Sequence, residues 1–358
     1  MSNILVFSDI HFGEGLNSPL KLDIAIKNVD FIIEQIEKYK ISKAIFCGDW
    51  FHSRNSISVN TFYKSCEALR KLSEHLDELF LIVGNHDSYY KNSIDVHSLK
   101  AFEYFPKVNV INSLTEIQIG HKKILLVPWG NSLSDIQQYK NIDYMFGHFE
   151  PNGAELTGSI SQGCAYSLED LTNITPLVFS GHYHIAKEYI TPSGKLIMVG
   201  SPSQQNWGDI ESKRGCYILN TANDQTTFIE NSNAPKHIKF LYSEILASKK
   251  LPKKELITNN FIKLIVDCPY KYSQITALLE KLQKANPLTL EPEYYYSDEM
   301  KLNLLNGTAN VTVKDFKTHR EYIEDFINNK ETELPEDIKR DKLLELALNV
   351  YNKVSSEA

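Results

Sequence analysis

Five short apolar runs in this chain are each followed at once by residues that can bind metals, and this repeated order constrains the fold more than any other feature. The runs continue into Ser-Asp-Ile-His, Gly-Asp-Trp-Phe-His, Gly-Asn-His-Asp, Gly-His-Phe-Glu and Ser-Gly-His-Tyr-His. Helical spacing of apolar residues separates several runs, as over residues 22–39 and 61–76. Alternating strands and helices predict a layered α/β domain, in which sites form at the carboxyl ends of strands.

The polar residues after these runs form one candidate metal site. Their side chains offer oxygen and imidazole ligands without thiolate, a set that favours manganese, iron or zinc. Seven side chains exceed the needs of one tetrahedral ion and suit two ions sharing a carboxylate, as in two-metal sites for phosphoryl displacement. One histidine at a strand end is usually an ordinary surface residue, but five such motifs in order indicate a site. The candidate ligands are Asp9, His11, Asp49, Asn85, His148, His182 and His184.

Two local expectations concern the backbone at this site. If the strand before Gly181 continued through His184, the imidazoles of His182 and His184 would point to the same side of the sheet. The glycines that precede four of the candidate ligands predict tight turns at the strand ends.

The composition excludes several classes of protein. No apolar run approaches the roughly 20 residues of a membrane helix, and the N-terminal segment lacks the pattern of a secretory signal. The five cysteines are scattered and odd in number, which predicts a reduced cytoplasm and no thiolate zinc site. The net charge of −7 means that any contact with nucleic acid needs bound cations, local basic patches or a partner.

Composition and periodicity predict three regions. Residues 1–235 carry the strand–helix alternation and all candidate ligands. Residues 236–300 read as a small α+β unit, entered through a lysine-rich linker at 249–256. Residues 301–358 read as C-terminal helices over 315–330 and 336–354, the last with an apolar stripe.

The ordered motifs resemble those of the calcineurin-like metallophosphoesterases. Within that family the chain is similar to SbcD-type nuclease subunits of double-strand-break repair complexes, including those of T-even-type phages. The likeness covers about residues 1–235 and is carried by VGNHDSYYKN (83–92), LVPWG (126–130), GHFEPNG (147–153), GSPSQQNWGD and KRGCYILNT (within 200–221).

The resemblance implies a fold and a division of the ligands. The fold is a four-layer β-sandwich flanked by helices, with a small α+β capping domain and C-terminal helices. His86 would act as general acid on the leaving 3′ oxygen, with Asp87 or a backbone carbonyl holding its ring. One ion would bind Asp9, His11, Asp49 and His184, and the other Asp49, Asn85, His148 and His182.

The residue at position 52 separates subfamilies by the same resemblance. Phosphatases of the superfamily carry GDxxDRG, whereas this chain reads GDWFHSR. SbcD-like enzymes commonly have histidine there, which implies that His52 orients a DNA phosphodiester. The phage enzymes can carry aspartate instead, and a plain turn histidine is the alternative.

The family's activities are 3′-to-5′ exonuclease on duplex DNA and endonuclease on single strands, with manganese the expected ion and iron or zinc the alternatives. Its partners would be DNA, an SbcC-like coiled-coil ATPase bound by the C-terminal helices, and a second copy docked through the helix at 61–76. Two other functions remain open. They are a small-molecule phosphodiesterase or phosphatase with the same site, and a non-catalytic adaptor for the ATPase.

Overall fold

The computed structural model describes residues 3–91, 93–156, 159–160, 166–295, 327 and 340–356. Within this part the chain forms two compact units. The first runs to Ile238 and includes Asn259–Phe261, and the second comprises Lys239–Thr258 and the described residues from Ile262 onward.

Strands and helices alternate through the first unit. Its strands are β1 (Asn3–Phe7), β2 (Lys43–Phe46), β3 (Glu78–Ile82), β4 (Val108–Ile111), β5 (Thr115–Ile119), β6 (Lys122–Val127), β7 (Tyr144–Gly147), β8 (Glu155–Leu156), β9 (Ser159–Ile160), β10 (Leu177–Ser180), β11 (Lys187–Thr191), β12 (Gly194–Met198), β13 (Gly215–Asn220) and β14 (Gln225–Glu230). Its helices are α1 (Glu14–Asn17), α2 (Pro19–Tyr39), α3 (Val59–Glu74), α4 (Leu133–Ile136) and α5 (Leu168–Thr172).

Two six-stranded sheets form the centre of this unit. Their strand orders are β14-β13-β1-β2-β3-β4 and β11-β12-β10-β7-β6-β5. The inner strands β1 to β4 run parallel, as do β6, β7, β10 and β12. The outer neighbours β13, β14, β5 and β11 pair antiparallel. In each sheet the parallel strands therefore end at one common edge.

Apolar residues on both faces of the strands create the layers. In β1, Ile4 and Val6 pack between the two sheets with residues such as Phe146 and Phe179 of the second sheet. The alternate residues Leu5 and Phe7 pack on the outer face with α2 and α3. A third cluster covers the outer face of the second sheet. Burial on both faces explains why these strands read as continuous apolar runs, and the predicted β-sandwich flanked by helices is confirmed.

The second unit has its own small core. Strands β15 (His237–Leu241), β16 (Phe261–Val266) and β17 (Thr289–Tyr294) form a three-stranded sheet. Helices α6 (Tyr242–Ser248), α7 (Lys254–Ile257) and α8 (Tyr272–Gln283) accompany it. Helix α8 contacts β17 and buries Ile275, Leu278 and Leu282. The predicted linker at 249–256 is partly wrong, because α7 begins within it and buries Ile257.

The C-terminal part is described only over residue 327 and helix α9 (Arg340–Ser356). The rest of the helix predicted at 315–330 lies outside the described residues, as do residues 336–339. Among the described helices, none has the length and apolar character to cross a membrane.

Candidate metal centre

Five strand ends deliver the candidate ligands to one place in the first unit. Strands β1, β2 and β3 end just before Asp9, Asp49 and Asn85, and β7 and β10 end at or just before His148 and His182. Because the parallel strands of each sheet end at the same edge, residues far apart in sequence meet there. The structure brings all seven candidate ligands together.

One group of side chains surrounds Asp9. The Nε2 atom of His11 lies 3.6 Å from Oδ1 of Asp9, and Nε2 of His184 lies 4.0 Å from the same oxygen. The two Nε2 atoms are 3.2 Å apart. Potential ligand atoms of all three residues lie within 4.8 Å of one another.

A second group surrounds Asp49, again with its ligand atoms within 4.8 Å of one another. Oδ2 of Asp49 lies 3.3 Å from Nε2 of His148. The side-chain amide of Asn85 faces both imidazoles, 2.8 Å from Nε2 of His148 and 3.0 Å from Nδ1 of His182. The Asp49 Oδ2 atom is also 3.7 Å from Nε2 of His11, so this carboxylate reaches both groups.

The donor set suits divalent cations. Both carboxylate oxygens of Asp9 are buried and have no hydrogen-bond partner among the described residues. A buried carboxylate without a partner is costly in free energy. Acceptor atoms this close repel one another, and a cation between them replaces the repulsion with attraction. The two groups can therefore hold metal ions, with Asp49 placed to serve both.

Burial and mutual charge set the protonation of the ligands. Burial lowers the pKa of His182 to about 3 and that of His184 to about 4, so both rings are neutral and have lone pairs to offer at neutral pH. Burial alone would raise the pKa of Asp49, but the His148 ring outweighs it and holds that pKa well below its usual range. Burial opposes charge on His148 too, yet Asp49 raises its pKa to about 9. The centre therefore attracts positive charge beside Asp49.

The backbone at the ligands adopts left-handed conformations that side chains usually avoid. The φ angles are 55° at Asp9, 54° at His11, 64° at Asp49 and 83° at His182. Such angles cost free energy and cluster at functional sites. The strand does not continue through His182 and His184, since β10 ends at Ser180, so the condition for two imidazoles on one side of the sheet is not met. The turn at His182 sends the two imidazoles to different groups.

The glycines before the ligands are required mainly by close approach. A Cβ atom on Gly84 would lie 2.3 Å from Oδ1 and 2.4 Å from the backbone nitrogen of Asp49. Gly48 combines a φ of 101° with a similar conflict at His148. The predicted tight turn accounts for Gly48, whereas Gly84 is needed because two loops touch.

Asp87 fixes these loops to each other. Its carboxylate accepts hydrogen bonds from the backbone N–H groups of Asp49, Phe51 and Gly84, at 2.9–3.0 Å. It does not hold the His86 ring, which was one of two possibilities raised by the sequence. The second possibility is found instead, because Nδ1 of His86 lies 2.6 Å from the backbone oxygen of His52.

His52 and His86 lie side by side next to the first group. Their rings stack with centroids 5.4 Å apart and planes 24° apart. Burial lowers the pKa of His86 below its ordinary value and that of His52 to about 4. Potential ligand atoms of His11, His52 and His86 also lie within 4.8 Å of one another. By geometry alone, His52 and His86 could either lie next to the ions or bind one of them as ligands.

Two residues near the centre were not predicted. The ring of Trp129 lies 5.2 Å from that of His182 and 5.9 Å from that of His148. With the Asn85 amide turned over, Nη2 of Arg54 lies 2.9 Å from its oxygen. Trp129 follows the apolar strand β6, just as the candidate ligands follow their strands, and this position is the sequence signal that could have indicated it.

The fold and this cluster are those of a phosphoesterase. Residues 2–186, just over half of the chain, match the calcineurin-like phosphoesterase family, and the chain belongs to that family. The predicted family is thereby confirmed. Exonuclease subunit 1 of Enterobacteria phage T4 is 29% identical over 241 residues, which are 64% of this chain and 68% of the phage protein.

Solved structures of related architecture are more distant. An archaeal phosphodiesterase aligns with a TM-score of 0.34 and 16% identity, covering 64% of this chain and 99% of its own. A dimetal phosphatase from Danio rerio aligns with a TM-score of 0.39 and 10% identity, covering 61% and 91%. At these scores the likeness carries no further argument.

Proposed function

We propose that this chain is the nuclease subunit of a DNA-processing complex and hydrolyses phosphodiester bonds at a two-metal site. The observation that carries the proposal is the position of Asp49, whose carboxylate lies within 4 Å of an imidazole from each group. Similarity to a phage protein called an exonuclease subunit supports DNA as the substrate and a partner subunit as part of the assembly.

In this proposal the chain's own residues divide the work. Asp9, His11, Asp49 and His184 hold one ion, and Asp49, Asn85, His148 and His182 hold the other. Bound ions would supply Lewis-acid chemistry and neutralise charge on the phosphodiester. Manganese is the expected ion, with iron or zinc as alternatives.

Backbone carbonyl groups orient two imidazole rings of the centre, those of His148 and His86. Nδ1 of His148 lies 2.7 Å from the backbone oxygen of Cys47. Donation from Nδ1 fixes the ring, so a metal cation that displaces the Nε2 proton favoured by Asp49 would meet a lone pair there. Nδ1 of His86 is engaged in the same way by the His52 carbonyl, which directs Nε2 away from it. We assign His86 as the general acid: a proton taken up on Nε2, which the negative charge of a bound phosphodiester favours, would be donated to the leaving 3′ oxygen.

His52 is proposed to orient the phosphodiester. Its ring packs against His86 and His11, with centroids 5.4 and 5.3 Å away. Its Nδ1 atom is buried and lacks a partner in the described part of the chain. A neutral ring in this position can turn a nitrogen toward a phosphate oxygen without adding a charge beside the ions.

The assembly is also part of the proposal. Helix α3 exposes Val59 at 87% and Tyr63 at 57%, which supports it as the contact between two copies of the chain. The second unit would cap the DNA, and α9 would dock on an SbcC-like ATPase within a heterotetramer. We place this complex in the cytoplasm, as the scattered cysteines predict.

Turnover of linear DNA decides between this function and its rivals. The full chain in manganese should degrade duplex DNA from 3′ ends and cut single strands, while a nucleoside 2′,3′-cyclic phosphate should turn over slowly. A preference for the cyclic phosphate would identify a small-molecule phosphodiesterase. Absence of turnover with both, together with capture of the ATPase, would identify an adaptor. Asp49→Ala is the control for contaminating nucleases.

A further inference from the structure

The loop after His86 presents two neighbouring tyrosines to solvent. Tyr89 and Tyr90 are 51% and 52% exposed, and their ring centroids lie 4.9 Å apart at 87°. Neither hydroxyl forms a hydrogen bond within the described part of the chain. Two large aromatic side chains side by side in solvent point to a binding surface rather than to packing.

The loop that carries these tyrosines is held firmly. The Ser88 hydroxyl is buried between the backbone oxygens of Tyr90 and Ser93, 3.0 and 2.6 Å away, and its one hydrogen is donated to this pair. The backbone N–H of Tyr89 donates to the oxygen of Val96 at 2.9 Å, and Ser88 forms a β-bridge with His97. The exposed rings therefore stand on a fixed support, which lowers the entropy cost of binding.

This loop also borders the candidate metal centre. The indole Nε1 of Trp129 donates to the backbone oxygen of Lys91 at 3.4 Å, while the indole ring lies against His182. Tyr89 is three residues from His86, so their Cα atoms are at most about 11 Å apart. A DNA strand with one phosphate at the metal centre can therefore reach both tyrosines with its neighbouring bases.

We infer that Tyr89 and Tyr90 form a stacking platform for unpaired DNA bases at the entrance of the centre. This inference rests on the proposed nuclease function and adds a substrate preference to it. Bases stack on aromatic side chains whatever their sequence. Bases inside a duplex have both faces occupied, so the platform selects single strands or frayed ends. Stacking adds affinity that does not depend on the net charge of −7.

The test is the affinity of the full chain for single-stranded DNA without catalysis. Fluorescence anisotropy in EDTA measures binding of a labelled oligothymidylate and of an abasic oligonucleotide of the same length. Tyr89→Ala combined with Tyr90→Ala should weaken oligothymidylate binding by roughly tenfold or more. The paired phenylalanine substitutions, which keep the rings, should bind as the wild type does.

Matched controls separate stacking from other effects. Tyr104→Ala removes a tyrosine that is 85% exposed on another loop and should leave binding unchanged. The abasic oligonucleotide should bind the wild type and the double alanine variant equally. Wild-type affinity of the double alanine variant for oligothymidylate, equal losses on both probes, or no binding by the wild type would each overturn the inference.

Two further measurements distinguish this inference from the proposed function. Manganese-dependent hydrolysis of bis(p-nitrophenyl) phosphate reports on the centre without a DNA strand and should be unchanged in the double alanine variant. If the wild type hydrolyses this ester but degrades no DNA, the proposed function fails. A lower molar mass of the double variant in light scattering would show that the tyrosines contact a second copy of the chain, which would overturn the platform.

Discussion

The Nδ1 atom of His86 lies 2.6 Å from the backbone oxygen of His52. This contact assigns the Nδ1 proton to a carbonyl acceptor and directs Nε2 away from it. The ring is thus oriented by the loop that follows β2, although it belongs to the loop that follows β3.

His86→Ala should retain both metal ions and lose nuclease activity by about 10²–10⁴-fold, the usual effect of removing a general acid. The proposed role serves the leaving oxygen rather than the ions. Metal content by plasma mass spectrometry and the rate of DNA cleavage check it. His121→Ala, at an exposed turn, is the control. Loss of metal from the His86 variant would instead make His86 a ligand, as its grouping with His11 and His52 allows.

Asp49→Ala should abolish binding of both ions, whereas His184→Ala should weaken mainly one. A carboxylate close to both groups offsets the charge of two cations, while a terminal imidazole serves one. Titration of manganese into metal-free protein, followed by calorimetry, gives the number of sites in each variant. Equal losses in the two variants would contradict the bridging role of Asp49.

Gly84→Ala should damage the centre although it adds only one methyl group. The new Cβ would lie 2.3–2.4 Å from two atoms of Asp49, and one of them is backbone. Such overpacking typically costs about 1–3 kcal/mol, so the variant should fold with a lower melting temperature and bind less metal. Gly120→Ala separates the clash from backbone strain, because φ there is 61° but a Cβ meets no atom within 4 Å, so this variant should melt lower and still bind metal normally. Normal metal content in the Gly84 variant would contradict the expected clash.

Deletion of residues 335–358 should leave manganese-dependent cleavage of single-stranded DNA intact and abolish binding of the ATPase. The ligands all lie before residue 185, far from the deleted segment. Within it, Leu344 and Leu348 lie on the apolar stripe that the sequence predicts and are only partly buried. The stripe continues to Tyr351 and Val354, whose side chains lie outside the described residues.

Pull-down with an SbcC-like protein and the melting temperature of the truncated chain are measured together. A truncated protein that melts several degrees lower and still binds the ATPase would contradict docking and show that the helix belongs to its own domain.

Much of the fold follows from the sequence because its central strands are buried on both faces. The five apolar runs before the ligand motifs predict β1, β2, β3, β7 and β10. The edge strands β4, β5, β11 and β14 give no comparable signal, because exposed polar residues interrupt them. Strand β13 is buried, and its sequence belongs to the KRGCYILNT motif.

The ligands were predictable as the polar residues next to apolar strands. Their geometry was not. Left-handed turns at Asp9, His11, Asp49 and His182 depend on contacts between loops that no local pattern encodes. The role of Asp87 likewise depends on backbone N–H groups from separate loops. The seven metal ligands and the roles of His52 and His86 stay predictions until metal and activity are measured.

The pairing of β1 with β13 has a consequence for how the protein is made. Val6 lies opposite Tyr217, so the first sheet is completed by residues beyond the family match, which ends at residue 186. On a ribosome adding roughly 5–20 residues per second, β1 remains without this neighbour for on the order of 10–40 s. Until then it is an open apolar edge, the kind that aggregates. We therefore expect a fragment that ends at residue 186 to expose this edge and to be less soluble than the full chain.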